Sequence, residues 1–495
     1  MIKPLKTSQT RVFLIEGRAR SDHRPSYESS LKLTGTSQSF GDVTKIEVPD
    51  PNNYDKFIEV DRIRGSEERV TTSLVGRYAA EIKSALLRIA RAGCSNDVQL
   101  HMGNCTDPSD FNAFNKSMIL EDVIITGYNT EDLGALGSDE RAKIDETAEI
   151  SAKDMYEVLP LSFSLKAGDI ITNEVIDVSI ADFASCGDCG DESDGCYRIY
   201  ALTSAAGGSA GTPSDVVFSL DKGVTWYAHD IDTLSTNDGV AIDKIGDYIV
   251  VISADTDSLH YALQSEILPT YDETWTAVAT GFVAAGSPRA MSSVGRKAFI
   301  VGDQGYIYFT DEPTAGVEVL DAGTVTGNSL YAVHAIDEDN AMAGGDFGMV
   351  VYTKNRTGWS TTSTGPSINK VQAVWMQDEN NWFVGDDAGG LYYTINSGGA
   401  WTAKALPGTT PSEIKSISFS TQSVGVISAV VSSKARVYRT LDGGYSWTIS
   451  PQGSASIPAA DALNTVEACR SDPNFIVGGG LADDASDGVI MVGQA

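Results

Sequence analysis

A repeat narrows this chain more than any other feature. Ser219-Leu-Asp221-Lys-Gly223-Val-Thr-Trp226 recurs as Thr394-Ile-Asn396-Ser-Gly398-Gly-Ala-Trp401 and again as Thr440-Leu-Asp442-Gly-Gly444-Tyr-Ser-Trp447. The shared frame is Ser/Thr-x-Asp/Asn-x-Gly-x-x-Trp. A second frame precedes several copies: Phe299-Ile-Val-Gly-Asp303-Gln-Gly305, Ala341-Met-Ala-Gly-Gly-Asp346-Phe-Gly348 and Trp382-Phe-Val-Gly-Asp386-Asp-Ala-Gly389, each followed by apolar residues and a Thr. Each unit reads as strand, Gly/Asp turn, strand and a tight Asp-containing loop. Glycine supplies the positive φ of the turns, and the Asp or Asn side chain can accept from backbone N–H groups of its own loop. A unit of this kind buries its apolar face only against the next one.

Trp226, Trp275, Trp359, Trp401 and Trp447 are spaced by 49, 84, 42 and 46 residues, the 84 being two periods with a degenerate loop near Thr310-Asp-Glu-Pro313. A period of this length with about four strands is a β-propeller blade. Blades are expected around residues 181–230, 238–280, 288–322, 328–362, 370–405, 413–450 and 464–495. That makes seven, with six as the alternative count. The last is one strand short, and Ile171-Thr-Asn-Glu-Val-Ile-Asp-Val-Ser-Ile180 is expected to complete it.

Charge divides the chain. Its 495 residues carry a net −31; residues 1–169 hold 21 basic and 27 acidic side chains, and residues 170–495 hold 15 and 40. The expected boundary is Lys166-Ala-Gly-Asp169, giving domains 1–169 and 170–495. Such a balance argues against clamping a duplex from outside, where cations must neutralise phosphates. It leaves open an acidic channel through which DNA slides. No apolar run approaches the ~20 residues that span a bilayer, so no membrane insertion is expected. The N-terminus lacks the apolar stretch of a signal peptide, which implies synthesis in a cytoplasm.

The first domain is read as a β-sandwich or barrel with one helix. Strands are expected at Arg11–Gly17, Tyr27–Thr34, Val43–Val48, Phe57–Arg64, Arg69–Val75, Asp97–His101, Ser117–Thr126 and Val158–Leu165. Several alternate apolar and polar residues, as half-buried strands do. Phe57–Val75 reads as a long hairpin about Gly65-Ser-Glu-Glu68. Tyr78–Ala92 places Ala79, Ile82, Leu86 and Ile89 on one helical face and stops at Gly93. The acidic stretch from Thr130 to Asp154 reads as an extended loop.

Two further constellations lack a sharp signal. Cys186, Cys189 and Cys196 lie among Asp188, Asp191, Glu192 and Asp194. A disulfide, unpaired thiols and a metal site all stay open; zinc would need a fourth ligand, which would have to be Cys469. The five His residues have no ligand spacing. No metal or cofactor is assigned.

The loop frame, with Ser219, Asp221, Gly223, Trp226, Thr394, Asn396, Gly398, Trp401, Thr440, Asp442, Gly444 and Trp447, resembles the Asp-box (BNR) repeat of sialidase-like propellers. The resemblance implies that these residues shape turns and are not catalytic. A sialidase needs an arginine triad; the Arg-Ile-Pro motif is absent, and Arg289 stands in Ser287-Pro-Arg-Ala290. No enzyme activity is expected. A seven-bladed ring also resembles photosystem assembly-factor propellers, which use basic patches where this chain is acidic. The first domain resembles a phage major tail tube protein in its pattern of elements. That resemblance implies a virion structural protein made in the host cytoplasm and located in the tail. Its copies would form stacked hexameric rings around a DNA-conducting lumen, with the propeller outside. Partners would be further copies, other tail proteins, DNA in passage and a host-surface glycan. The alternatives are a binding or assembly-factor propeller with a docking domain, and a non-catalytic glycan-binding module.

Overall fold

In residues 1–144 the computed structural model describes the strands alone. Beyond them it describes 145–159, 161–167, 173–182, 197–204, 215–231, 239–254, 256–269, 275–279, 281–363, 365–450, 460–470, 472–482 and 487–494, with Ile171 and Leu234. The expected helix at 78–92, the expected turn at 65–68 and the cysteines at 186, 189 and 196 lie outside these residues. The chain forms two units, Met1–Pro160 and Leu161–Ala495. The division falls before Leu161 rather than near Lys166–Asp169.

The second unit is a seven-bladed β-propeller: seven four-stranded antiparallel sheets. The innermost strands are Val175–Asp182, Gly239–Ile245, Pro288–Val294, Leu330–Ala335, Val371–Met376, Glu413–Phe419 and Ala460–Ala468, and they define blades 1 to 7 in that order. Second strands such as Trp382–Asp386 and Asn340–Gly345 are buried at every position. A strand covered on both faces needs this near-continuous apolar run. The core is a series of clusters between neighbouring blades.

Closure differs from the sequence expectation. Ile171–Ile180 does not complete blade 7; Val175–Asp182 is the inner strand of blade 1. Ser162–Ala167 completes blade 7, pairing from Ser162↔Gln494 to Ala167↔Val489. The reason is burial. Val175, Val178 and Ile180 are buried in the cluster shared with blade 7, as an inner strand requires. Ser162-Phe-Ser-Leu165 alternates, as suits an outer strand with one covered face. Phe163 packs on the blade 7 core, while Ser162 and Ser164 donate to Gln494 O and Val492 O.

In the first unit the strands run in the order Pro25–Ser29, Thr10–Ile15, Asn96–Gly103, Phe114–Thr130, Asp145–Ala152, Arg69–Arg77, Lys32–Ser39, and Asp154–Val158 also pairs with Phe114–Thr130. The expected single strand at Tyr27–Thr34 is therefore two strands on opposite edges of the sheet. They are joined by residues 30 and 31 alone. Three Cα steps reach about 11 Å, whereas seven flat strands would set the edges roughly 29 Å apart. The sheet is therefore not flat: Phe114–Thr130 pairs with Asn96–Gly103 along its first part and with Asp145–Ala152 along its second, and the sheet bends at that strand.

Two other expectations fail here. Residues 145–152 are no loop but an inner strand, paired with Arg69–Arg77 and Phe114–Thr130. Ala148, Ile150 and Ala152 are buried while Glu149 is exposed; the acids hid an ordinary alternation. Asn53–Arg64 does not pair with Arg69–Arg77. It pairs with Val43–Asp50, from Val43↔Arg64 to Asp50↔Asn53, in a separate two-stranded sheet. Only two residues, Pro51 and Asn52, separate those strands, so the shortest connection sets the pairing.

Candidate functional site

The propeller surrounds a central channel of about 750 Å³ lined by all seven inner strands. Each inner strand shifts register near its start, across Val175/Asp177, Gly239/Ala241, Pro288/Ala290, Leu330/Ala332, Val371/Ala373, Ile414/Ser416 and Leu463/Thr465. A bulge leaves one residue unpaired and re-aims its side chain. The skipped residues are Ile176, Val240, Arg289, Tyr331, Gln372, Lys415 and Asn464, and all line the channel at one mouth.

At that mouth Arg289 forms a two-pronged pair with Asp303. Arg289 and Lys370 lie over the Tyr331 ring, at 5.2 and 4.8 Å from its centroid. Gln372 Nε2 donates to Ile414 O of the next blade at 3.0 Å, and Asn464 Nδ2 donates likewise to Val175 O at 3.0 Å.

Deeper in the channel a collar links the blades. The fourth residue after each bulge start is Ser179, Asp243, Ser292, His334, Trp375, Ser418 and Glu467. Inner strands are sheet edges, so their channel-side N–H groups need acceptors. Asp243 accepts from Ser293 N at 2.8 Å, Ser292 from Ala335 N at 3.1 Å and His334 Nδ1 from Met376 N at 3.1 Å. Ser418 accepts from Ala468 N at 3.0 Å, and Glu467 from Ile180 N at 2.6 Å. Between blades 1 and 2 the bridge is Asp177, which accepts from Ile242 N at 3.0 Å, and Ser179 donates to Asp243 at 3.3 Å. Between blades 5 and 6 Trp375 has no acceptor to offer and instead packs on Phe419, with ring centroids 5.7 Å apart.

Burial decides the charge states. It pushes Asp177 up to about 7 against the backbone hydrogen bond from Ile242. It raises Asp243 against the Ser293 bonds, and Glu467 well above the carboxylate range. It drops His334 to about 3, so the ring is neutral. With Nδ1 accepting, the proton sits on Nε2.

The sequence-derived loop residues lie at the opposite end of the blades, between third and fourth strands, and not in the channel. In blade 1 Ser219 Oγ receives Gly223 N at 2.8 Å, Asp221 receives Thr225 N at 2.8 Å and Trp226 Nε1 donates to Gly223 O at 2.9 Å. Blade 5 repeats this with Gly398 N on Thr394 and Ala400 N on Asn396. Blade 6 repeats it with Gly444 N on Thr440 and Ser446 N on Asp442. A shorter variant, Thr353-Lys-Asn355-Arg-Thr-Gly358-Trp359, holds Gly358 N on Asn355 at 2.7 Å in blade 4.

The tryptophans reach further than their own loops. Trp226 joins a cluster with Phe475, Val477 and Val492 of blade 7, and Trp447 one with Phe383 of blade 5. Half-buried Trp401 packs with Val350 of blade 4, and Trp359 with Phe299 and Phe309 of blade 3. Each is a wedge against the preceding blade. Gly223, Gly398 and Gly444 have φ of 86, 77 and 85°. A Cβ at these positions would also collide with Val492, Thr362 and Phe383 of the preceding blade.

The collar carboxyls spend oxygens on backbone N–H groups. The channel arginines are split between its ends: Arg289 starts its strand, whereas Arg296 and Arg470 follow theirs. No group of three His, Cys, Asp or Glu placed to hold a metal occurs among the described residues. Cys469 is buried between blades 7 and 1, and no helix among the described residues is long and apolar enough to cross a membrane.

No protein-family model matches the sequence, and no curated protein matches it. Among solved structures, YCF48 from Cyanidioschyzon merolae is 16% identical, with 67% of this chain and 98% of that one covered and a TM-score of 0.47. The RRP9 WD40 repeats are 9% identical over 67% and 97%, with a TM-score of 0.49. Virginiamycin B lyase from Staphylococcus aureus is 9% identical over 68% and 100%, with a TM-score of 0.48. The seven-bladed ring itself rests on this chain's own strand order.

Proposed function

We propose that this chain is a virion structural protein: a tail-tube subunit in Met1–Pro160 that displays an Asp-box propeller on the outside of the tube. The observation that carries the reading is the hairpin of Val43–Asp50 and Asn53–Arg64. It forms a sheet of its own, and among the described residues its two outer edges pair with no other strand. The 12-residue arm is roughly 40 Å long at 3.3 Å per residue. Open edges of that length invite pairing with another copy. Joined edge to edge around a ring, such arms close into one barrel about a lumen. Other copies, other tail proteins and DNA in passage are the partners of this reading, and the virion tail its location.

The propeller is read as non-catalytic, its Asp boxes holding turns, with a host-surface glycan as a ligand it could display toward. Its acidic surface would keep neighbouring copies apart at low salt. Negative-stain microscopy of the purified full-length protein tests the assignment. Tubes or stacked rings with peripheral knobs are expected. Dispersed single particles at all concentrations would overturn it and favour a binding or assembly-factor propeller with a docking domain. A fluorogenic sialoside should not be turned over.

A further inference from the structure

The collar is chemically lopsided. Three consecutive blade junctions, 7/1, 1/2 and 2/3, are bridged by carboxyls: Glu467 to Ile180 N, Asp177 to Ile242 N and Asp243 to Ser293 N. The junctions 3/4, 4/5 and 6/7 are bridged by Ser292, His334 and Ser418, none of which changes charge near neutrality. The first of these acidic junctions, 7/1, borders the blade completed by Ser162–Ala167, the first strand after the N-terminal unit. We propose that this sector is a proton-dependent clasp, stiff when at least one of Asp177, Asp243 and Glu467 carries a proton and loosened when all three are ionised.

The argument is electrostatic and starts from placement. All three carboxyls line one channel, and each is fixed to a neighbouring strand by a backbone bond, so none can swing into solvent. Arg470 is the cation that acts on Asp243 and Glu467. The other charged groups of the channel lining are held elsewhere or at its ends. Arg289 pairs with Asp303, Arg296 with Glu312 and Asp247, and Lys415 with Glu413. Lys244 follows Asp243 on the same strand, and its backbone N–H bonds that carboxyl. His334 is neutral. Full ionisation therefore sets three negative charges against one positive charge in a poorly solvated space.

The sign follows from burial, which holds more protons on these acids in the folded ring than in the unfolded chain. Their stabilising share is complete below the ordinary carboxylate range and is lost as pH rises, through about 7 for Asp177. Glu467 permits a clean test. One of its oxygens takes the Ile180 N–H, so glutamine can keep the bridge and remove the charge.

Hydrogen exchange by mass spectrometry on the full-length protein reads the clasp locally, with each rate corrected for intrinsic exchange. Between pH 6 and 8.5, protection of inner strands 175–182, 239–245 and 288–294 should fall about tenfold more than that of 330–335 and 371–376, the factor that one pKa unit represents. Glu467→Gln should shrink that difference at least about threefold, while Glu467→Ala should lower protection of 175–182 at both pH values. Equal loss of protection in both sets of strands would overturn the proposal. So would a Glu467→Gln protein with the wild-type pH response.

Discussion

The loops at one end of the propeller and the collar in its channel perform the same task at different reach. Both use a side-chain oxygen or nitrogen to satisfy a backbone N–H that no strand can pair. In the loops donor and acceptor are four residues apart, as with Gly223 and Ser219 or Ser446 and Asp442. In the collar they are 42 to 65 residues apart along the chain, and 287 apart for Ile180 and Glu467. A local solution leaves a fixed spacing in every copy, because the turn dictates it. A remote solution constrains only the acceptor's position on its strand, and Ser, Asp, His and Glu all serve. The loops therefore look alike and the collar residues do not.

The longest-range contact should give the largest effect. Ser162–Ala167 closes the ring across more than three hundred residues, with Ser162 opposite Gln494. A fragment spanning 161–495 should be a monomeric propeller. One spanning 170–495, which the sequence alone marked as the natural domain, would bare the edge of Gly488–Gln494. That open edge should make it associate and melt early. Light scattering and thermal unfolding of the two fragments decide the matter. If 170–495 stays monomeric with the melting point of 161–495, closure by this strand contributes nothing.

Single-residue changes should separate wedge from link. Trp447→Ala removes a buried ring that packs beside Phe383 and Phe419, and should cost ~3–5 kcal/mol. Trp401→Ala should cost less, because that ring is half-buried. Ser418→Ala strips the acceptor from Ala468 N and removes a single neutral hydrogen bond, so about 1–2 kcal/mol is expected. Denaturant unfolding of the three variants tests the ranking. A Ser418→Ala loss equal to that of Trp447→Ala would mean that the collar is more than a set of single links.

The same contrast accounts for what the sequence disclosed. Blade number, blade spacing and the loop residues were legible because each depends on neighbours within a few positions. The collar was not, although a signal is present on five of the seven inner strands: a polar or aromatic residue between two apolar ones, as in Val178-Ser179-Ile180 and Val466-Glu467-Ala468. In isolation that pattern reads as a solvent-facing position, and only the ring turns it toward a channel. Residues 145–152 failed for a related reason. Asp145, Glu146 and Glu149 suggested a loop, yet strands on both sides bury Ala148 and Ile150. Closure failed because Val158–Leu165 and Ile171–Ile180 both read as strands, and which one completes a ring depends on an edge formed by the far end of the chain.

The smallest effect lies within the loops and has opposite signs in two copies. At Asp221, in a largely exposed loop, burial pushes the carboxyl up, but bonds from Thr225, Ser219 and Val224 outweigh it and hold it below the ordinary value. At Asp442 burial prevails over the bonds from Ser446 and Thr440, and the carboxyl is raised. Blade 5 shows that a neutral amide can hold this loop, since Asn396 receives Ala400 N at 2.9 Å and Thr394 Oγ1 at 2.9 Å. Asp→Asn is therefore a test of charge with the shape retained. A lowered pKa gives stability that is present above the ordinary carboxylate value near 4 and is lost as pH falls through the folded value. Asp221→Asn should thus lower the melting point at pH 7 and matter less at pH 3. A raised pKa gives stability that is present below that value and is lost as pH rises. Asp442→Asn should thus raise the melting point at pH 7, an advantage that fades toward pH 4. Each shift should be about 2 °C for a unit of this size, read by calorimetry on 161–495. Shifts of the same sign in both variants would show that the loops differ in packing and not in the fate of their charge.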